Sequence, residues 1–411
     1  MVKPREIKAL NTSLVSNNEN LIKEKKRTIL FFAHIGHKSF LTGSENYLLN
    51  LIKVLSNDFN CILVSPTMSL LISEVKQLNI PVRIINYPMV WEIWKPTKNI
   101  EKETNKMNIH TSTDHLMDLI EKLQPSFVFV NTSVNLVPAI AAKKAKVLVI
   151  WLINEVIENN PYTLKAVQTI DYFSDWIVGI SNTVLQPFFE YNLNKKTFLL
   201  YPITTIKSDF KSNLLHLRKK LKIKESSIIV GYLSSYISPE KGLKHFIKMA
   251  VALCKKHKNV YFFIQGKPTN LPYFNQCLNL IKSSRFRNKF NLLPFDINVY
   301  YFFHSVDIIV IPSLIDEGFP LVGLESFLYG KPVVAYRSGG LIEQLEQLNN
   351  EDLLVKKGDT DELKQNVSKL LKNSAIRQQV GLTNKQKAAE LFGPNSFRVR
   401  LNRLLKKIDN P

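Results

Sequence analysis

Two doubly wound α/β domains are the fold this sequence predicts, on three observations. Apolar, strand-length runs alternate repeatedly with amphipathic helical stretches, the pattern of parallel sheets covered on both faces by helices. The alternation stops after Tyr201-Pro202 and resumes at Ser227, dividing it into two series of similar size. The 411 residues suit two or three globular units at roughly 100 to 200 residues each.

The first series opens with the strand Arg27 to Ile35, a loop holding Gly36, Thr42 and Gly43, and a helix with Tyr47, Leu48, Leu51, Ile52 and Leu55 at helical spacing. Strand Cys61 to Ser65, helix Leu70 to Leu78 and strand Val82 to Ile85 follow, then helix His115 to Leu123 and strand Ser126 to Asn131. Strands at Lys146 to Leu152 and Trp176 to Ile180 complete the series. Between Tyr87 and Thr113 the alternation fails in a polar excursion with two tryptophans, Trp91 and Trp94. These could anchor an acceptor or a membrane surface, but packing of the loop onto its own domain is the reading taken.

The second series runs from strand Ser227 to Leu233 through helix Pro239 to Lys256, strand Val260 to Gln265, helix Tyr273 to Ser284 and strand Phe290 to Leu293. It continues with helix Val299 to His304, strand Asp307 to Pro312, helix Pro320 to Tyr329 and strand Pro332 to Tyr336, and closes in three helices ending near Ile408. The expected division is a solvated leader at 1–26, a first domain at 27–205, a second at 206–390, and a terminal segment at 391–411 whose helix packs back toward the first domain. Ligands of such sheets bind beyond the carboxyl ends of the strands, so the cleft between the two domains is the expected site.

Composition narrows the function. Apolar residues make up 45% and charged residues 22%, which excludes a disordered or collagen-like chain. Cys61, Cys254 and Cys277 have neither pairable nor metal-ligand spacing, which fits a reducing compartment. No apolar run approaches the roughly 20 residues of a membrane span, and residues 1–26 lack the apolar core of a secretory signal. The expected location is the cytoplasm, with peripheral contact on the inner membrane face as a further option.

The net charge of +21 is uneven: residues 1–205 hold 22 Lys and Arg against 17 Asp and Glu, and residues 206–411 hold 33 against 17. That excess favours phosphorylated small molecules, acidic lipid surfaces or nucleic acid without choosing among them. Nucleic acid is the weakest of the three, because no zinc-finger spacing, RNP-like pattern or basic arm accompanies the charge. The stretch LHLRKKLKI is the candidate for anionic lipid.

The chemistry concentrates between Val306 and Glu343. A strand ends at Pro312-Ser313, a polar loop delivers Glu317 and Gly318, and Pro320 suits the first turn of a helix whose apolar stripe is Leu321, Leu324 and Leu328. Glu325 lies beside that stripe, and Gly330 suits the C-terminal cap. A carboxylate can accept two hydroxyls of a ribose or sugar, though Glu317 could instead serve the helix dipole and Glu325 could be an ordinary exposed position. In Ser238-Pro239-Glu240-Lys241-Gly242, Ser238 suits an N-cap and Lys241 the positive first turn, where a diphosphate would be held.

The segment Glu317-x7-Glu325 within EGFPLVGLESFLYGKPVVA, followed by Ser338-Gly339-Gly340-x-x-Glu343, resembles the signature of retaining GT-B glycosyltransferases of family 4, the glycosyl transferases group 1. PEKG and the lead-in FNLLPFDINVYYFFHSVDIIVIPS resemble the same family. The resemblance implies a GT-B fold of two Rossmann-like domains and transfer of a sugar, hexosyl-type, from a nucleotide diphosphate sugar to a glycan or lipid-linked hydroxyl with retention of configuration. It implies cell-surface polysaccharide or glycolipid synthesis as the setting, with no obligatory metal or cofactor and no nucleic-acid partner.

By the same resemblance Glu317 and Lys241 are catalytic. Glu325, Gly318, Phe319, Leu321, Gly242, Gly43 and Gly266 surround the donor, although Gly43 also suits a plain β-α turn. Two positions depart from the family pattern. Tyr236 stands five residues before Lys241, where an arginine is common, and Asn154-Glu155 stands where many members carry His-Glu. Asn154, Tyr236 and the loop residue His37 are therefore assigned to the acceptor side or the cleft. The departures leave room for a nucleotide-sugar-binding partner protein weakened in catalysis, or for an epimerase of the same fold. Asp359-Thr-Asp361 has the spacing of a metal-binding pair, but helix capping explains it.

Overall fold

The computed structural model describes residues 26–204, 216–295 and 299–410. Residues 1–25 of the N-terminal leader, residues 205–215 between the domains and so the first residue of the basic stretch lie outside the described residues. The first sheet contains β1 (Thr28–Phe32), β2 (Asn60–Ser65), β3 (Val82–Ile84), β4 (Phe127–Asn131), β5 (Leu148–Ile153), β6 (Trp176–Gly179) and β7 (Thr197–Leu199). The second contains β8 (Ile228–Ile237), β9 (Val260–Pro268), β10 (Phe290–Leu292), β11 (Ile308–Ile311), β12 (Val333–Tyr336) and β13 (Leu354–Val355). Their orders are β3-β2-β1-β4-β5-β6-β7 and β10-β9-β8-β11-β12-β13, and every pairing is parallel.

Each sheet reverses its winding at one place: between β1 and β4 in the first, and between β8 and β11 in the second. Loops leaving two such strands diverge to opposite sides of the sheet and open a crevice between them. Here the first pair of loops carries Gly43 and Ser133, and the second carries Lys241 and Glu317. The strands are apolar on both faces: β4, β11 and β12 are buried throughout, and β1 and β5 nearly so. Helices therefore have to cover both sides.

Some elements escape a sequence reading for identifiable reasons. Helix Leu136–Lys144 is buried at every position from Leu136 to Ala142, so it has no polar face to create a period. The excursion after β3 is ordered: a 3₁₀ turn at Trp91–Ile93 and a helix at Ile100–Asn108 bury Ile93, Ile100 and Met107. The basic stretch yields only a five-residue helix, His216–Lys220, with Arg218 paired to Asp307 at 2.7 Å.

The last helix, Pro394–Asp409, belongs to both halves of the molecule. Asp409 pairs with Arg27 at 2.7 Å, Lys407 lies over Trp176 and Arg400 over Tyr201. Among the described residues no helix is long and apolar enough to cross a membrane.

Candidate active site

A cleft of about 580 Å³ opens between the domains and is lined by residues of both. Such a volume falls within the usual range for small-molecule sites. At its second-domain wall the ammonium of Lys241 meets both carboxylate oxygens of Glu317, at 2.8 and 2.9 Å. The hydroxyl of Ser313 donates to the same carboxylate at 2.8 Å. The side chains of the pair are only 14% and 17% exposed.

Backbone packing brings the two together. The Leu314 N–H donates to the Glu240 carbonyl at 2.7 Å, tying the turn after β8 to the loop after β11. Gly242 has φ +73°, and a Cβ there would lie 1.8 Å from the Pro312 carbonyl oxygen. Only glycine both tolerates that dihedral and permits the contact. Burial opposes the charge on Lys241, but the Glu317 charge and hydrogen bond, with help from Tyr236, more than offset it and hold the lysine pKa above its ordinary value. The Tyr236 ring lies 5.0 Å from the ammonium, in cation–π range.

The local geometry corrects one expectation. Pro239–Lys241 is a separate 3₁₀ turn, and the helix begins at Leu243 with Gly242 as its cap residue. Ser238 makes no capping hydrogen bond. Lys241 therefore precedes the helix rather than occupying its first turn, because the left-handed Gly242 breaks the two apart. Pro320 likewise sits at the cap position of helix Leu321–Leu328, and Gly330, φ +69°, follows that helix as expected.

Glu325 reaches the cleft from that helix, where the hydroxyl of Thr204 donates to it at 3.3 Å. Desolvation pushes its pKa up to about 7 against the pull of that hydrogen bond. Gly318 bridges the domains: Ser181 donates to its carbonyl at 2.7 Å, and a Cβ on it would lie 2.0 Å from the Asn154 carbonyl oxygen. The Phe319 ring packs between Tyr201 and Phe392. Gly339 and Gly340 hold the Glu317 loop from behind, with the Gly340 N–H donating to the Glu317 carbonyl at 2.6 Å.

On the first-domain wall, Thr42 caps helix Gly43–Leu55 in a reciprocal box with Glu45. A Cβ added to Gly43 would meet no protein atom, so that helix start faces open cleft. Asn154 donates to Asn131 at 2.7 Å, and Glu155 accepts from the Ser133 N–H and hydroxyl at 3.0 and 3.1 Å. Burial raises the pKa of Glu155. Burial, with His37 adding to it, lowers that of His34 to about 4, so His34 is neutral near pH 7. His37 is exposed and stacks on Phe40 at 4.3 Å.

Ten predicted residues thus line the cleft: Lys241, Glu317, Gly318, Phe319, Leu321, Glu325, Gly43, Asn154, His37 and Tyr236. Gly242 and Gly266 do not. Gly242 seats the lysine turn, and Gly266, expected beside the donor, is instead a packing glycine, since a Cβ there would lie 2.8 Å from Ile237 and from the Ser234 carbonyl. Sequence reasoning missed Ser313, Thr204, Asn131 and Ser133. The loop signal before Glu317 could have flagged Ser313; nothing in the sequence links Thr204 to a carboxylate 121 residues away. Asp359 accepts from the Asp361 and Glu362 N–H groups as a helix cap, and among the described residues no group of three or more His, Cys, Asp or Glu could hold a metal.

Two parallel-sheet α/β domains facing a cleft, each with a winding reversal turned toward it, make this a GT-B fold. Residues 215–387 match the family model described as Glycosyl transferases group 1. The chain is 26% identical over 166 residues to an uncharacterized glycosyltransferase of Haemophilus influenzae, covering 40% of this chain and 45% of the relative. It is 24% identical over 177 residues to the lipopolysaccharide 1,2-N-acetylglucosaminetransferase of Salmonella typhimurium, covering 41% and 46%. The alignments therefore span a little under half of those relatives' lengths. The structure of Anabaena Alr3699/HepE in complex with UDP-glucose superposes with a TM-score of 0.75 at 19% identity, over 93% of this chain and all of that one.

Proposed function

We propose that this chain is a retaining glycosyltransferase of family 4 that moves a hexosyl group from a nucleoside diphosphate sugar to an acceptor hydroxyl, in the synthesis of a cell-surface polysaccharide or glycolipid. The observation that carries this reading is the Lys241–Glu317 pair facing Glu325 in one interdomain cleft. The named activity of the Salmonella relative and the UDP-glucose held by the Anabaena protein support it.

In this mechanism the bond from the anomeric carbon to the diphosphate breaks, and the acceptor oxygen bonds to that carbon on the same face. The acceptor proton passes to the leaving phosphate oxygen. Lys241 swings from Glu317 to the departing diphosphate; a preorganised donor of this kind is worth roughly 10² to 10³ in rate. Glu317, released, accepts hydroxyls of the transferred sugar, and Ser313 keeps it oriented. Glu325 accepts the ribose hydroxyls. Gly43 leaves the first helix start open to phosphate oxygens. Tyr236 supports Lys241 through its ring in place of a second positive charge. Domain closure excludes water.

One observation favours a rival, a nucleotide-sugar-binding protein without turnover: Asn154 gives its amide to Asn131 and offers no proton at neutral pH. A panel of nucleoside diphosphate sugars scored for release of nucleoside diphosphate decides between them. Turnover that falls at least about a hundredfold in Lys241→Ala supports the transferase; donor binding with no turnover on any acceptor supports the rival.

A further inference from the structure

The excursion after β3 brings a second kind of chemistry to the cleft. Trp91 and Trp94 both line it, with ring centroids 6.3 Å apart and planes tilted by 56°. Trp94 is anchored, because its indole N–H donates to the Val156 carbonyl at 3.0 Å and its own carbonyl accepts from the Glu158 N–H at 2.9 Å. On the other side of Trp91, the Val90 N–H donates to the Val134 carbonyl at 2.8 Å. The segment is thus stapled to the loops that follow β4 and β5.

Packing accounts for Trp94 but leaves Trp91 over, since Trp91 remains 53% exposed. A large indole held in one place while facing water forgoes burial that a flexible loop could have given it. Its place on the cleft wall makes a ligand of the cleft, rather than a membrane surface, its nearer counterpart. The same first-domain wall carries Ile35, 47% exposed, and Val156, together with polar groups of His34, Asn46, Asn154 and Glu155. An acyl chain laid here would cover His34 and Asn46, both part-exposed, without pairing them, which is costly. A pyranose satisfies both kinds of surface, setting its C–H face on the indole and its hydroxyls toward the polar edge.

We propose that Trp91 is the platform on which a sugar ring of the acceptor stacks, so that the acceptor is a glycan recognised through its own rings. That the bound ring is an acceptor rests on the transferase reading; that Trp91 binds a sugar does not. The test is saturation-transfer NMR on the full chain saturated with UDP, with lactose, cellobiose and chitobiose as sugar probes and farnesyl phosphate as the lipid probe.

At least one disaccharide binds the wild type, Trp91→Ala weakens that binding about tenfold, and Trp91→Phe stays within about threefold, with UDP affinity equal in all three. Binding of farnesyl phosphate alone, binding of no disaccharide, or disaccharide binding indifferent to Trp91→Ala overturns the proposal. If UDP fails to bind the wild type, the transferase reading falls, while the disaccharide series, repeated without UDP, still decides the case of Trp91.

Discussion

Lys241 and Glu317 neutralise one another at the cleft wall, and on the proposed reading a donor has to compete with that pairing. Its diphosphate can do so because it offers Lys241 a doubly ionised partner, while its sugar hydroxyls give Glu317 new donors. Glu325 is different: among the described residues no cation pairs with it, and desolvation raises its pKa to about 7. A carboxyl whose folded pKa is raised stabilises the fold at low pH, and that contribution is lost as pH rises through 7. If the ionised form is the one that accepts ribose hydroxyls, UDP binding changes the opposite way. Affinity for UDP should rise about tenfold between pH 6 and pH 8, and calorimetry on Glu325→Gln should find a flat profile. The same variant should gain thermal stability over wild type at pH 8 but not at pH 5.

At the scale of elements, the winding reversal of the second sheet does most of the positioning. It sets the turn after β8 beside the loop after β11, and Gly242 lets them touch. Gly242→Ala meets both a left-handed dihedral and a carbonyl at 1.8 Å, so it should lower stability by about 2 kcal/mol or more in urea unfolding. It should also reduce turnover, because the lysine turn must shift. The β-α order and the carboxylate motif were legible in the sequence, since apolar runs and a contiguous loop-helix signature are local. The start of the helix at Leu243 was not, because Ser238-Pro239-Glu240 carries ordinary helix-start residues and only tertiary contact forces Gly242 into the left-handed region. Partners such as Thr204 and Ser133 were illegible for a related reason: Ser133 meets Glu155 only once β4 and β5 pair, and Thr204 meets Glu325 only after both domains have formed.

Over the whole molecule, the cleft depends on a small set of interdomain contacts. Glu343, outside the cleft, caps helix Asn182–Glu190 from the opposite domain: it accepts from the N–H groups of Asn182 and Thr183 at 3.1 and 3.2 Å. Tyr201 donates to it at 2.6 Å. Carboxylates are favoured at a helix start by its unpaired N–H groups and dipole. Glu343→Ala should therefore loosen the two halves, seen as a larger radius of gyration in small-angle scattering and a lower turnover at unchanged unfolding cooperativity. The basic excess of the second half is consistent with attraction of a nucleotide through the same cleft.

The account rests on Lys241 and Glu317 acting on one activated sugar, and a double-mutant cycle on donor turnover tests that most directly. Lys241→Ala, Glu317→Ala and the double variant are compared with wild type by the rate of nucleoside diphosphate release. Residues acting as one unit give a double loss close to that of the worse single variant, about 10² to 10³. Losses that multiply, or turnover untouched by either substitution, would contradict it.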